Sequence, residues 1–229
     1  MQYKVDSKVL EITGRLNRIA GFWTGLFRLR QHNRNLQQEN ARLYERLNKR
    51  EFYSPAGYQV IPAEIISGKF YGRRRYVILN KGSRAGVGIN DGIWTSRGAV
   101  GAVTEVSPHF AKALILTDDK FSISVRVKST GDLGFTAPLE GSSSYINVTD
   151  LPFESHVRRG DTVITSGLSM ILPPGIPVGV VTDIRTKSEE EKILTVRLTA
   201  PPRKTRYVYV GAYPLRKEFN DINEAENEN

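Results

Sequence analysis

The chain has 229 residues, with 33 Lys and Arg against 24 Asp and Glu, and no cysteine. That length suits two small domains, each with its own core. The missing cysteine excludes disulfides, thiolate metal sites and thiol catalysis. The net charge of +9 becomes +14 for the first 217 residues, because Glu218–Asn229 holds five acids and no base. A body so basic suits anionic partners, although solubility alone also accounts for a charge excess.

The first fifty residues carry a heptad pattern. With Leu26 at position a, Ile12, Ile19, Asn33, Asn40 and Leu47 also fall at a, and Phe22, Leu29, Leu36 and Leu43 fall at d. A 3–4 repeat sustained in this way predicts a coiled-coil helix over residues 1–54. Ile19, Leu26, Leu29, Leu36, Leu43 and Leu47 form its dimer seam. Asn33 and Asn40, each meeting its copy in a parallel pair, set the register. Gly14, Gly21 and Gly25 weaken the start. One amphipathic helix packed on its own domain is the alternative, but such a helix carries a wider apolar stripe. A basic zipper for DNA needs a continuous basic helix, and Phe22, Trp23 and Phe27 interrupt it. The helix ends near Ser54-Pro55-Ala56-Gly57.

From Tyr58 the pattern changes to short runs rich in Val, Ile, Thr and Tyr, bounded by Gly, Pro and Asp. Twelve strands are predicted, near 59–66, 75–80, 92–96, 100–106, 113–117, 123–127, 133–138, 145–151, 162–166, 178–184, 193–200 and 207–213. A helical turn is expected around Ser107–Lys112. Ile93-Trp94-Thr95-Ser96 matches Val163-Ile164-Thr165-Ser166, and Val100–Val106 matches Val178–Ile184. Three residues separate the matched blocks in the first copy and eleven in the second. The repeat predicts two β-barrels of six strands each. The first covers 58–138, the second 139–217, and a disordered acidic tail covers 218–229. The class is therefore mainly β, with an N-terminal coiled coil.

Catalytic chemistry is sparse. The three histidines, His32, His109 and His156, show no metal-ligand spacing. A Ser-His-Asp set could use His109 and Asp118, but no Ser stands in a nucleophile context. No phosphate-loop or dinucleotide spacing occurs. Neither an enzyme nor a cofactor is expected. Two surface candidates for partner binding remain. One is "YGRRRY", with Arg73, Arg74 and Arg75 between aromatics. The other is the apolar loop "SMILPPGIP", with Ile171, Leu172 and Ile176; the same loop could instead plug one end of the second barrel.

The stretches "ILNKGSRAGVGINDGIWTSRGAVGAVTEVSPHFAKALILTD" and "VRRGDTVITSGLSMILPPGIPVGVVTDI" resemble the extracytoplasmic part of the MreC family of rod shape-determining proteins. The resemblance spans most of Tyr58–Pro214. It implies a membrane-proximal coiled coil carrying two six-stranded barrels, on the periplasmic side of the inner membrane, with a single-pass anchor ahead of the present start. It also implies homodimerisation through the helix and self-assembly of the barrels into filaments. The implied partners are a class B penicillin-binding protein, MreD, RodZ and RodA, and indirectly MreB. The implied mechanism is scaffolding that shifts the wall enzyme toward an active conformation, without nucleic acid. The basic helix and the acidic tail depart from the shared pattern. The alternative is a basic barrel protein that binds single-stranded nucleic acid.

Overall fold

A computed structural model describes residues 60–186 and 191–211, with six helical positions of the N-terminal segment: Gln31, His32, Asn35, Leu36, Gln38 and Glu39. All six are exposed, Leu36 at 43%. The other expected seam residues, Ile19, Leu26, Leu29, Asn33, Asn40, Leu43 and Leu47, lie outside the described residues, as does the acidic tail.

The described residues form twelve strands. They are β1 (Val60–Lys69), β2 (Tyr76–Leu79), β3 (Gly92–Thr95), β4 (Gly98–Val106), β5 (Ala111–Ile115) and β6 (Ser124–Val127), then β7 (Leu133–Pro138), β8 (Tyr145–Pro152), β9 (Thr162–Thr165), β10 (Pro177–Thr186), β11 (Glu191–Leu198) and β12 (Tyr207–Gly211). Where a helical turn was expected, residues 107–110 make a tight reverse turn. The Ser107 N–H donates to the Phe110 carbonyl at 2.8 Å, and Ser107 Oγ accepts the Phe110 N–H at 3.1 Å. The serine thus holds the turn that a helix would otherwise need i to i+4 bonds to make.

The strands close into two antiparallel six-stranded barrels, ordered β1-β12-β3-β4-β5-β2 and β10-β11-β8-β7-β6-β9. The expected boundary at 138/139 is wrong in two places. β6 and β7 belong to the second barrel, and β12 returns to the first. The second barrel is one contiguous run of strands. The first stays open between β1 and β3 until β12 pairs with both. Superposing the pairing patterns shows why. β3, β4 and β5 correspond to β9, β10 and β11, β1 and β2 to β7 and β8, and β12 to β6. The first barrel is a circular permutation of the second, with its first strand supplied by the last of the described strands.

The repeated sequence follows this correspondence residue by residue. Ile93 faces Gly101, and Val163 faces Gly179. A bulge follows each pair, and a second separates Val103 from Glu105 and Val181 from Asp183. Val103 and Val181 each donate at 2.9 Å to the carbonyl of Asp91 and Asp161 respectively. The two carboxylates accept backbone N–H groups three residues earlier, from Gly88 at 2.7 Å and Arg158 at 2.9 Å. Both are four-residue turns that the aspartate at their end closes with backbone and carboxylate, leading into a buried strand. Alternate residues fill each barrel: Val77, Leu79, Ile93, Val103, Ile115 and Val208 in the first, and Val125, Ile146, Val148, Val163, Val181 and Leu194 in the second. Side chains occupy the interiors, as barrels of this size require.

Candidate interaction surface

The eleven-residue segment Gly167–Pro177, which replaces three residues of the first copy, forms part of the contact between the barrels. Thr165, at the position of Thr95 in the first barrel, organises it. Thr165 Oγ1 donates to the Pro173 carbonyl at 2.5 Å and accepts the Ile176 N–H at 2.9 Å. Thr95 Oγ1 similarly accepts the Arg97 N–H at 3.0 Å across its much shorter turn. The insertion carries Leu172 against β3. A Cβ at Gly92 would stand 2.6 Å from Leu172 Cδ2 and closer still to the Ile171 carbonyl. Trp94 and Tyr209 share the outward parity of Gly92 on β3 and β12, yet both are buried. Leu172, expected to meet a partner, is 3% exposed and belongs to this joint. Ile171 and Ile176 are half-buried beside it.

The arginine triplet divides in the same manner. Arg73 and Arg74 are exposed at the tip between β1 and β2, and Arg73 Nε lies 3.7 Å from Asp119. Arg75 is 5% exposed and is not a surface residue. Its Nε donates to the Gly72 carbonyl at 2.7 Å, and Nη1 donates to the carbonyls of Thr117 at 2.5 Å and Ser142 at 2.8 Å. Its backbone N–H donates to the buried Asp118 carboxylate at 2.5 Å. Thr117 and Asp118 lie where the chain crosses to the second barrel, and Ser142 lies in that barrel's β7–β8 connection. One side chain therefore ties the hairpin tip to both. Burying a cation in this way is tolerable because charged hydrogen bonds replace its hydration. Asp118 is committed to backbone N–H groups, while the exposed His109 Nε2 contacts Arg84 Nη1 at 3.0 Å, so these two side chains serve separate structural ends. Among the described residues no cluster of three or more His, Cys, Asp or Glu could hold a metal.

Sequence reading missed an apolar face on the second barrel. On β7, Leu133 and Phe135 point outward, 41% and 48% exposed, while Gly134 and Thr136 point inward. The side chains stand about 7 Å apart along one strand face. Leu133 faces Arg126 and Phe135 faces Thr149 on the flanking strands. The parity is fixed from inside. A Cβ at Gly134 would meet the Thr149 carbonyl at 2.7 Å, and Thr136 Oγ1 accepts the buried Ile123 N–H at 3.0 Å. Alternation was visible in "LGFTAP", but its parity was not.

Comparison with known proteins is decisive. The family model described as "Rod shape-determining protein MreC, barrel core" matches residues 65–212, well over half of the chain. The chain belongs to the MreC family. The MreC of Escherichia coli K12, a cell shape-determining protein, is 28% identical over 192 residues, covering 80% of this chain and 51% of that protein. The crystal structure of MreC from Pseudomonas aeruginosa superposes with a TM-score of 0.62 at 26% identity, covering 66% of this chain and 97% of that one. A complex between penicillin-binding protein (PBP2) and MreC from Helicobacter pylori shares the fold, with a TM-score of 0.57 at 19% identity, covering 69% of this chain and 99% of that one. The chain spans about half the length of the curated MreC relatives it matches.

The MreC match takes in β12, so the permuted strand belongs to the shared barrel core. Within that core, the connection after β8 is anchored by Asp132. Ser155 Oγ donates to its carboxylate, and Lys192 Nζ donates to the Ser155 carbonyl at 2.8 Å. The Ser155 hydroxyl, then the Thr130 hydroxyl, hold the Asp132 carboxyl below the usual carboxylate value, with His156 and Lys192 adding to the effect.

Proposed function

We propose that this chain is the extracytoplasmic part of a non-enzymatic cell-elongation scaffold. It binds a class B penicillin-binding protein through the barrels and shifts it toward its active state. Membership of the MreC family carries this reading, and the Helicobacter pylori complex supports the partner class. The wider assembly comprises an inner-membrane anchor, MreD, RodZ and RodA, and indirectly MreB. The Leu133–Phe135 face is the candidate contact, because exposed apolar pairs on a rigid strand suit protein recognition. The test is surface-immobilised binding of the cognate penicillin-binding protein's extracytoplasmic region to the full chain. Binding that Phe135→Glu weakens at least about tenfold supports the reading; no binding by the unaltered chain overturns it.

Dimerisation through the helix is part of the same proposal. Sedimentation equilibrium should give a dimer for the full chain and a monomer for one starting at Tyr58. The nucleic-acid alternative is less well served by the geometry. Only two arginines of the triplet are exposed, and the Arg203 guanidinium lies 5.2 Å from the Tyr71 ring, occupying a face a base would need.

A further inference from the structure

A cleft of about 470 Å³ opens between the barrels, with Arg73, Arg75 and Asp119 on one side and Pro138 and Glu140 on the other. Exposed cations line it or neighbour its lining residues in sequence or contact. Lys69, Arg73 and Arg74 lie on the β1–β2 tip, Lys120 follows Asp119, and Arg203, stacked on Tyr71, is followed by Lys204. Against these six stand Asp119 and Glu140. The Arg73–Asp119 pair is long at 3.7 Å and its arginine side chain is 94% exposed, so it leaves the patch strongly positive.

The sequence holds one segment of the opposite character. Glu218–Asn229 carries Glu218, Asp221, Glu224, Glu226 and Glu228 and no base. It follows β12, whose end at Gly211 pairs with Val60 at the start of β1. The cleft lies at the far end of β1, about 30 Å away at the rise of a strand. The chain beyond Gly211 can extend about 60 Å, so Asp221 and the acids after it can reach the cleft without leaving their own molecule.

We infer that the acidic segment Glu218–Asn229 docks in cis on the arginine-rich mouth of the inter-barrel cleft. It thereby competes with acidic partner surfaces for Arg73, Arg74 and Arg203. Its local concentration exceeds that of a free competitor, so a partner must displace it, and salt weakens the contact.

Zero-length carbodiimide cross-linking of the full chain tests this, because it joins carboxylates only to lysines already in contact. Peptide mass spectrometry should find links from Glu224, Glu226 or Glu228 to Lys69, Lys120 or Lys204. The Lys112–Glu105 pair, 2.6 Å apart, is the internal reference for an intact fold. Combined Arg73→Glu, Arg74→Glu and Arg203→Glu substitutions leave the reactive lysines in place and should lower the tail links several-fold while the reference link persists. In a mixture of nitrogen-15-labelled and unlabelled chains, tail links should stay within one isotope. Absence of tail links, links indifferent to charge reversal, or links mainly between isotopes would overturn docking in cis.

Discussion

Gly101 of β4 and Gly179 of β10 occupy one position in two barrels, and at both the neighbouring strand passes too close for a side chain. A Cβ at Gly101 would overlap the Leu114 carbonyl oxygen, and one at Gly179 the Arg197 carbonyl oxygen. Neither glycine has the positive φ that alone would select it. Gly101→Ala and Gly179→Ala should each cost about 3 kcal/mol or more. Gly131→Ala meets open space and strains only a φ of 85°, so about 1 kcal/mol is expected there. Urea unfolding separates the two sizes. Equal midpoints for Gly179→Ala and Gly131→Ala would refute the close-approach reading.

Arg75→Ala should destabilise the chain by about 3 kcal/mol, since the Gly72, Thr117 and Ser142 carbonyls lose a charged donor within the joint. Lysine cannot restore the planar fork, so Arg75→Lys should recover only part. Arg73→Ala should leave the unfolding midpoint unchanged. A shift for Arg73→Ala matching that for Arg75→Ala would refute a distinct structural role for Arg75.

Leu172 and Phe135 should respond oppositely to truncation. Leu172→Ala removes a buried side chain facing Gly92 and should cost about 2–4 kcal/mol. Phe135→Ala should barely change stability but weaken penicillin-binding protein capture. Weakened capture by both, with stability unchanged, would return the insertion to the partner surface.

Acidification should loosen the end of the second barrel where Asp132 receives Ser155. A carboxyl with a lowered folded value contributes stability that is present above its unfolded value and lost as pH falls through the folded one. The window therefore lies below about pH 4. Asp132→Asn should flatten this part of the stability profile. Unchanged acid dependence in Asp132→Asn would show that other carboxylates set it.

Strand positions were legible because each run is short, alternating and bounded by Gly, Pro or Asp. The repeat was legible because the same bulges and turns demand the same residues, down to Gly101 with Gly179 and Asp91 with Asp161. Membership in a barrel was not. β12 reads like any other strand, and its partners Ile61 and Ile93 lie more than a hundred residues earlier. Nor was the role of Arg75, which shares its local sequence with two solvated arginines and differs through carbonyls at Thr117 and Ser142. Periodicity gives a strand its two faces, while distant packing decides which is inside.

The permutation also sets an order of events. The strands of the second barrel are complete once β11 has been made, whereas the first waits, with β1 and β3 unpaired at facing edges, for β12. During synthesis those edges are open to pairing with another copy. In the finished protein, the neighbouring strands β1 and β12 are also the outermost in sequence of those described. Tension applied at Val60 and Gly211 therefore loads the β1–β12 seam and bypasses the second barrel, which hangs from the load path as a closed loop.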